Sequence, residues 1–163
     1  MRNRIIALTV VVAGAIGWYA FRPERLLIDN QVSEALPTTA LLAEGAVAEP
    51  VALSKGTFRG VHHDTKGTAT ILKLTSGDRV LRLTDFETSN GPDVRVYLVA
   101  APDAADNETV TKAGFIELGA MKGNRGDQNY EIPATVDLAR YQTVTIWCKR
   151  FSVNFGSAAL TAS

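Results

Sequence analysis

The single cysteine, Cys148, is the residue of this sequence that could carry redox chemistry, because a thiol can be oxidised or can ligate a metal. It lies beside Trp147 in the stretch Thr143 to Gly156, where apolar and polar residues alternate. A period of two places Val144, Ile146 and Cys148 on one face of a strand. The stretch therefore predicts either two strands or one strand with a bulge between its halves.

Two interpretations of Cys148 follow from this pattern. The basic residues Lys149 and Arg150 could supply positive potential that lowers the pKa of the thiol, which would make Cys148 a redox thiol or a ligand. The apolar face that Cys148 shares with its strand neighbours favours core packing instead. A lone thiol outside the cytoplasm risks oxidation, which favours either burial or use. The sequence leaves both interpretations open.

The other candidate ligands with nitrogen or sulfur are few. His62 and His63 are the only histidines, and a strand would point them to opposite faces, so a solvated loop pair is favoured over a metal site. Met121 is the only methionine besides Met1. One cysteine excludes an internal disulfide and a cysteine-cluster zinc site, and the missing Cys-x-x-Cys-His motif excludes covalent haem attachment.

Loop side chains with oxygen atoms form a second class of candidate. Calcium prefers such ligands, and loops of sandwich domains often supply them. Residues of the same types also cap backbone groups in turns, and this interpretation is favoured, so no metal site is predicted. The residues concerned are Asp85, Asn90, Asp93, Asp127 and Asn129.

Composition and motifs exclude several functional classes. The chain has 163 residues, of which 17 are basic and 17 acidic, and it has no basic block, so nucleic acid is not an expected partner. The sequence contains no Gly-x-Ser-x-Gly, no His-Glu-x-x-His and no phosphate loop. A non-enzymatic role is therefore favoured, although a carboxylate pair that forms only in three dimensions stays open.

Residues 1–22 have the pattern of a membrane segment. Ile5 to Phe21 carries no charged residue, and this length is the lower limit for a helix that spans a bilayer. Basic residues before the run favour a cytoplasmic N-terminus, and Trp18 and Tyr19 match an aromatic belt. We expect a single-pass anchor in the cell membrane, with the rest of the chain outside the cytoplasm. The alternative is a signal peptide with a cleavage site at Ala13-Gly14-Ala15, which would leave a secreted protein.

Residues 23–54 are rich in Ala, Glu, Leu and Pro, and we interpret them as a linker that holds a domain off the membrane. Within them, Glu24 to Leu36 could form a short helix that Pro37 ends. The alternative is that Leu41-Leu42 or Val51 to Leu53 docks on the domain.

Residues 55–163 have the alternation of β-strands, with turn signals about every ten residues. Val94 to Val99 is the clearest strand, and loops are predicted over Asp85 to Asp93, Ala101 to Thr109 and Gly119 to Asn129. No long amphipathic pattern interrupts the strands, so a parallel α/β sheet is not expected. The predicted fold class is all-β, an antiparallel β-sandwich or barrel preceded by an N-terminal transmembrane helix and a linker.

Several short motifs in this region resemble the DM13 domain. The resemblance covers about Gly56 to Leu160, with the motifs in the expected order and spacing. It implies a role in electron transfer and a characteristic cysteine, at the position of Cys148, that acts as a thiol or as a ligand to a prosthetic group such as haem. The motifs are Gly67-Thr68-Ala69, Leu81-Arg82-Leu83-Thr84-Asp85-Phe86, Asn90-Gly91-Pro92-Asp93-Val94, Val96-Tyr97-Leu98, Leu118-Gly119, Lys122-Gly123-Asn124, Gly126-Asp127-Gln128-Asn129-Tyr130, Ile146-Trp147-Cys148 and Phe151-Ser152-Val153-Asn154-Phe155-Gly156.

Residues and resemblance together predict an extracytoplasmic, membrane-anchored accessory module with an electron-transfer role through Cys148. Haem is the cofactor that the resemblance implies, and calcium is a weaker alternative. The expected partners are the membrane, through residues 5–21, and a redox or envelope protein. The alternative function is a non-catalytic binding module that holds a protein partner or calcium through its sandwich loops.

Overall fold

The computed structural model describes residues 2–21, 29–37 and 49–163. Within these residues the chain forms two helices and eleven strands. The helices are α1 (Arg2–Phe21) and α2 (Asn107–Ala113). The strands are β1 (Gln31–Ser33), β2 (Val51–Thr57), β3 (Arg59–Gly60), β4 (Lys66–Lys73), β5 (Arg79–Glu87), β6 (Val94–Val99), β7 (Phe115–Ala120), β8 (Arg125–Ile132), β9 (Thr143–Cys148), β10 (Val153–Ala159) and β11 (Thr161–Ala162).

Helix α1 contains the whole charge-free run at the N-terminus, and its large apolar side chains, such as Leu8, Val11 and Ile16, are exposed. Over the part of the chain that the structure describes, no helix combines the length and the apolar content that crossing a membrane requires. The predicted transmembrane helix is therefore not supported. Cleavage at Ala13-Gly14-Ala15 stays a prediction.

The strands form two sheets that pack across one apolar core. The six-stranded sheet has the order β1-β8-β5-β4-β2-β11, and the five-stranded sheet has the order β3-β10-β9-β6-β7. All these neighbours are antiparallel except β1 and β8. Both sheets contribute fully buried side chains to the core, including Ile71, Leu83, Val96 and Ile146. The predicted antiparallel sandwich is confirmed.

Strand β9 lies in the middle of the five-stranded sheet, between β10 and β6, and all six of its residues are buried. Its inner face meets the other sheet, and its outer face is covered by a second apolar cluster that includes Val110 of α2. Helix α2 begins after Asp106, whose side chain accepts a hydrogen bond from the Thr109 amide at 2.7 Å. The predicted loop over Ala101 to Thr109 is therefore wrong from Asn107 onward, because this N-cap starts a helix.

Two further predicted loops are shorter than expected. Strand β5 continues through Glu87, although Asp85 has a φ of 50° that interrupts its pairing with β8. Strand β8 begins at Arg125, inside the predicted turn region 119–129, and Gly126 is one of its residues. The turn prediction failed there because glycine and aspartate, which normally mark turns, lie within a strand.

The predicted linker 23–54 contributes two strands to the domain. Strand β1 pairs with β8, so the predicted helix over Glu24 to Leu36 is wrong wherever the structure describes that range. Strand β2 begins at Val51 and pairs with β4, which confirms that Val51 to Leu53 docks. The tether interpretation is thus corrected at both strands, whereas Leu41-Leu42 lies outside the described residues.

Candidate functional site

Cys148 is the last residue of β9, and its free thiol is completely buried. It lies opposite Val94 of β6 and Val153 of β10. It packs in the same core cluster as Val144 and Ile146, so the predicted shared face is confirmed. A reagent or partner can therefore reach the sulfur only after a local opening of the structure.

The turn that follows Cys148 is exposed. Lys149, Arg150 and Phe151 are all exposed, and Ser152 adopts a φ of 52°, which is unfavourable for a residue with a side chain. Of the two predicted alternatives, the stretch forms two strands joined by a turn. Only one peptide bond therefore separates the buried thiol from solvent-exposed chain.

The basic residues beside Cys148 are partly compensated by acidic ones. The Lys149 ammonium lies 3.1 Å from a Glu117 carboxylate oxygen, and Arg95 lies 2.9 Å from the other oxygen. Arg95 also contacts Asp93 at 2.6 Å. This network weakens the positive potential that we expected at the thiol in the closed structure.

An aromatic stack covers the outer face of the sheet next to Cys148. The ring of Tyr97 lies parallel to that of Phe115 with centroids 4.3 Å apart, and it lies 6.3 Å from that of Trp147. Phe115 is 43% exposed, whereas the other two rings are buried. Burial, helped by the nearby Glu117 carboxylate, raises the pKa of Tyr97 to about 12. The sequence analysis missed this stack because its members come from β6, β7 and β9, which only strand pairing brings together.

The two histidines lie in a bend between β3 and β4 and have different surroundings. The His63 ring packs against Phe155 with centroids 3.8 Å apart, and His62 is exposed. Burial, with a smaller contribution from His62, lowers the pKa of His63 and favours its neutral form. Neither histidine belongs to the core cluster that contains Cys148.

The candidate oxygen ligands mostly have protein partners. Arg82 contacts Asp127 at 2.7 Å and Asn129 at 2.9 Å, and the Asp85 amide donates to Asp127 at 3.2 Å. The guanidinium of Arg82 thus occupies oxygen atoms of Asp127 and Asn129 that a calcium ion would otherwise bind. Among residues 2–21, 29–37 and 49–163, no three histidine, cysteine, aspartate or glutamate side chains lie close enough together to hold a metal ion.

The described residues do not fit a haem group. Haem needs an axial ligand in a pocket with apolar walls. His63 lines an open cleft of about 730 Å³ with charged walls that include Lys66 and Glu87. Met121 lines a different cleft of about 630 Å³, beside Asp93 and Lys122, and Cys148 lines neither cleft.

Residues 57–160 match the family model described as Electron transfer DM13. The chain belongs to the DM13 family. The match confirms the resemblance and spans Cys148, the aromatic stack and both histidines. No curated protein and no solved structure matches the chain. The family description associates the DM13 domain with electron transfer and names no residue for that role.

Proposed function

We propose that this protein is an accessory redox module of an electron-transfer system outside the cytoplasm, with Cys148 as its redox thiol. The main support is the position of Cys148, the only thiol in a domain of an electron-transfer family. It lies at the end of a strand and next to an exposed turn. Burial protects such a thiol from oxidation until the turn opens.

Opening of the turn would change the chemistry of Cys148. The turn is held beside the start of β6 by the Lys149 amide, which donates to the Asp93 carbonyl at 2.8 Å. If this contact breaks and the turn lifts, the sulfur becomes exposed beside Lys149 and Arg150. A thiol must be accessible to react with a redox partner, and the opened form would hold such a thiol. Local opening of this kind costs less free energy than global unfolding.

Thiol labelling of the full chain tests the proposal. The rate of maleimide labelling would be measured between about pH 5 and about pH 9, below and above the reference thiol pKa of about 8.5. We expect labelling that is slow but faster than global unfolding. A Ser152→Pro variant should label faster, because proline cannot adopt the positive φ of that position.

Two controls complete the labelling experiment. Ser76→Cys in a Cys148→Ala background places a thiol in the exposed turn between β4 and β5 and gives the rate for full accessibility. The denatured wild-type chain gives the rate without structure. If the native thiol reacts only as fast as the whole domain unfolds, the redox-thiol role is wrong. An absorbance scan of the same sample would detect a prosthetic group that hides the sulfur.

A non-catalytic binding module is the second candidate, and the complete burial of Cys148 favours it. The binding surface in this case would be the cleft between residues 90–95 and 120–123, which is lined by charged and apolar groups. Failure of native labelling together with a featureless absorbance scan would favour this function. A rise in melting temperature on addition of calcium would favour its calcium-binding form.

Attachment to a membrane through residues 5–21 is part of the proposal. Its support is the charge-free run and the exposure of apolar side chains along α1. Exposed apolar side chains of this kind favour a lipid environment. Membrane fractionation of cells would test attachment, and carbonate washing would separate an inserted segment from a surface-bound one. Mass analysis of the mature chain would reveal cleavage near Ala15, which would make the protein secreted.

A further inference from the structure

We infer that residues 29–35 are a separable strand ligand of the DM13 domain. We call these residues the clasp segment. They bind to a surface made of Arg82 and residues 122–129, which we call the β8 groove. The inference does not depend on Cys148, which lies in the other sheet. Backbone pairing, side-chain contacts at both ends and two glycines support it.

Backbone pairing aligns the clasp segment with the outer edge of β8. Gln31, Val32 and Ser33 pair in parallel with Arg125, Gly126 and Asp127. The pairing continues at both ends, because the Arg125 amide donates to the Asn30 carbonyl at 3.3 Å and the Glu34 amide donates to the Asp127 carbonyl at 3.0 Å. Addition of an extended segment to a sheet edge is a common mode of peptide recognition.

Paired amides hold the beginning of the clasp segment. The Asn30 amide donates to the Asn124 side-chain oxygen at 2.7 Å, and the Asn30 side chain donates to the Lys122 carbonyl at 2.7 Å. The Asn124 side-chain nitrogen donates to the Asp29 carboxylate at 2.8 Å. Asn124 is itself buried and is held by the Thr88 carbonyl, so it is a fixed part of the groove.

Charged contacts hold the end of the clasp segment. The Glu34 carboxylate accepts from the Lys122 ammonium at 2.7 and 2.8 Å and from the Asn129 amide at 2.8 Å. Arg82 donates to the Glu34 carbonyl at 3.1 Å, and the Asn129 side chain donates to the Ala35 carbonyl at 2.8 Å. The groove therefore selects an amide at position 30 and a carboxylate at position 34.

Two glycines make room for the backbone of the clasp segment. A Cβ atom at Gly123 would overlap the Asn30 carbonyl, and a Cβ atom at Gly126 would overlap the Val32 carbonyl. Close approach of a second backbone is a reason for glycine within a strand. This requirement explains Gly123 of the Lys122-Gly123-Asn124 motif and Gly126 of the motif that follows it.

The clasp segment has the properties of a ligand rather than of a core strand. It lies outside the matched family region 57–160, and none of its side chains is fully buried. Segments with few buried apolar contacts open at low free-energy cost.

A peptide-binding experiment on the full chain tests the inference. The variant Asn30→Ala/Glu34→Ala removes both anchoring side chains from the clasp segment and leaves the groove intact. A fluorescent peptide of residues 29–37 is the probe, added up to about millimolar concentration to match a tethered segment. We expect the variant to bind the peptide at least about tenfold more tightly than the wild-type chain, whose groove is filled.

Matched controls decide the outcome. Glu131→Ala removes an exposed carboxylate from the same strand and should bind the peptide as weakly as the wild type. A peptide carrying Glu34→Lys should not bind the double variant. Three results would overturn the inference. The first is a double variant that does not fold, which would make the segment integral to the domain. The second is a native peptide that does not bind the double variant, and the third is equal binding of both peptides.

Discussion

The sulfur of Cys148 occupies a fully apolar position between two valines, Val94 and Val153. A thiol suits this position because it behaves as a small apolar group when it is buried. A hydroxyl of similar size does not, because it loses its hydrogen bonds to water and gains no apolar contact. The choice of cysteine over serine at this residue is therefore a choice about burial as well as reactivity.

We expect Cys148→Ser to lower the free energy of unfolding by about 1–3 kcal/mol, because the buried hydroxyl is left without a partner. Cys148→Ala should cost less, since it removes contacts but buries no polar group. Urea denaturation followed by tryptophan fluorescence measures both. A serine variant as stable as the wild type would show that the thiol faces a polar environment in solution.

Gly126 allows a second single-residue test, because Gly77 has nearly the same φ and lies in open space. Their φ values are 93° and 92°, but only Gly126 lies against the backbone at Val32. Gly77→Ala should cost about 1 kcal/mol from backbone strain alone. Gly126→Ala should cost about 1–2 kcal/mol more, because it also displaces β1. Equal losses in urea denaturation would mean that β1 is not seated on β8.

Among the secondary-structure elements, the alternation of apolar and polar residues was sufficient to predict strands that bury one clear face. Strands β4, β6 and β9 were predictable because their inward residues are apolar and alternate regularly. Strand β8 was not, because Gly126 and Asp127 have the residue types of a turn and their place in a strand depends on β1. Strand β1 itself has only three residues, and distant contacts hold it in place. The Asn30 amide just before it, for example, donates to Asn124, which is 94 residues away in sequence.

The candidate site shows the same division between local and distant information. The inward face of Cys148 followed from its neighbours in sequence. The compensation of Lys149 by Glu117 and the stack of Phe115 on Tyr97 depend on the pairing of β7 with β6, which no local pattern specifies. Sequence reasoning could therefore place the thiol in a strand, but it could not supply the charges and rings around it.

The docking of β1 should depend on pH through Glu34. Burial alone would raise the pKa of this carboxyl, but the hydrogen bonds from Lys122 and the Asn129 amide, with the charge of Arg82, outweigh burial and lower it below 4.5. A lowered folded pKa means that the unfolded state binds more protons, so this stabilisation is complete above about pH 4.5 and is lost as the pH falls through the folded pKa.

The measurement compares the wild type with Glu34→Gln by urea denaturation from about pH 7 to about pH 3. We expect the wild type to be the more stable at neutral pH and its advantage to shrink as Glu34 takes up its proton. Other carboxyl groups titrate alike in both chains, so the difference reports Glu34. An advantage that is constant across this range would contradict the role assigned to the carboxylate.

Two tyrosines are buried in different layers of the molecule, one in the core between the sheets and one outside the five-stranded sheet. Tyr97 lies beneath Phe115 on the outer face of the five-stranded sheet, and Tyr130 lies in the main core, where its hydroxyl donates to Gln128 at 2.7 Å. Burial is the main cause that raises the pKa of both tyrosines, to about 12 for Tyr97. Both layers of packing must therefore resist tyrosine ionisation at high pH.

We expect the free energy of unfolding to fall as the pH rises above about 10, the ordinary tyrosine value. Above that pH the unfolded chain releases protons that the folded chain retains. This ionisation stabilises the unfolded state relative to the folded state. Urea denaturation at increasing pH measures the slope. Tyr130→Phe should make the slope shallower, and Tyr97→Phe/Tyr130→Phe shallower still, because each removes one suppressed ionisation while the lysines stay the same. If the slope of the double variant equals that of the wild type, the two phenols ionise as readily in the fold as in the unfolded chain, and the packing around them admits water.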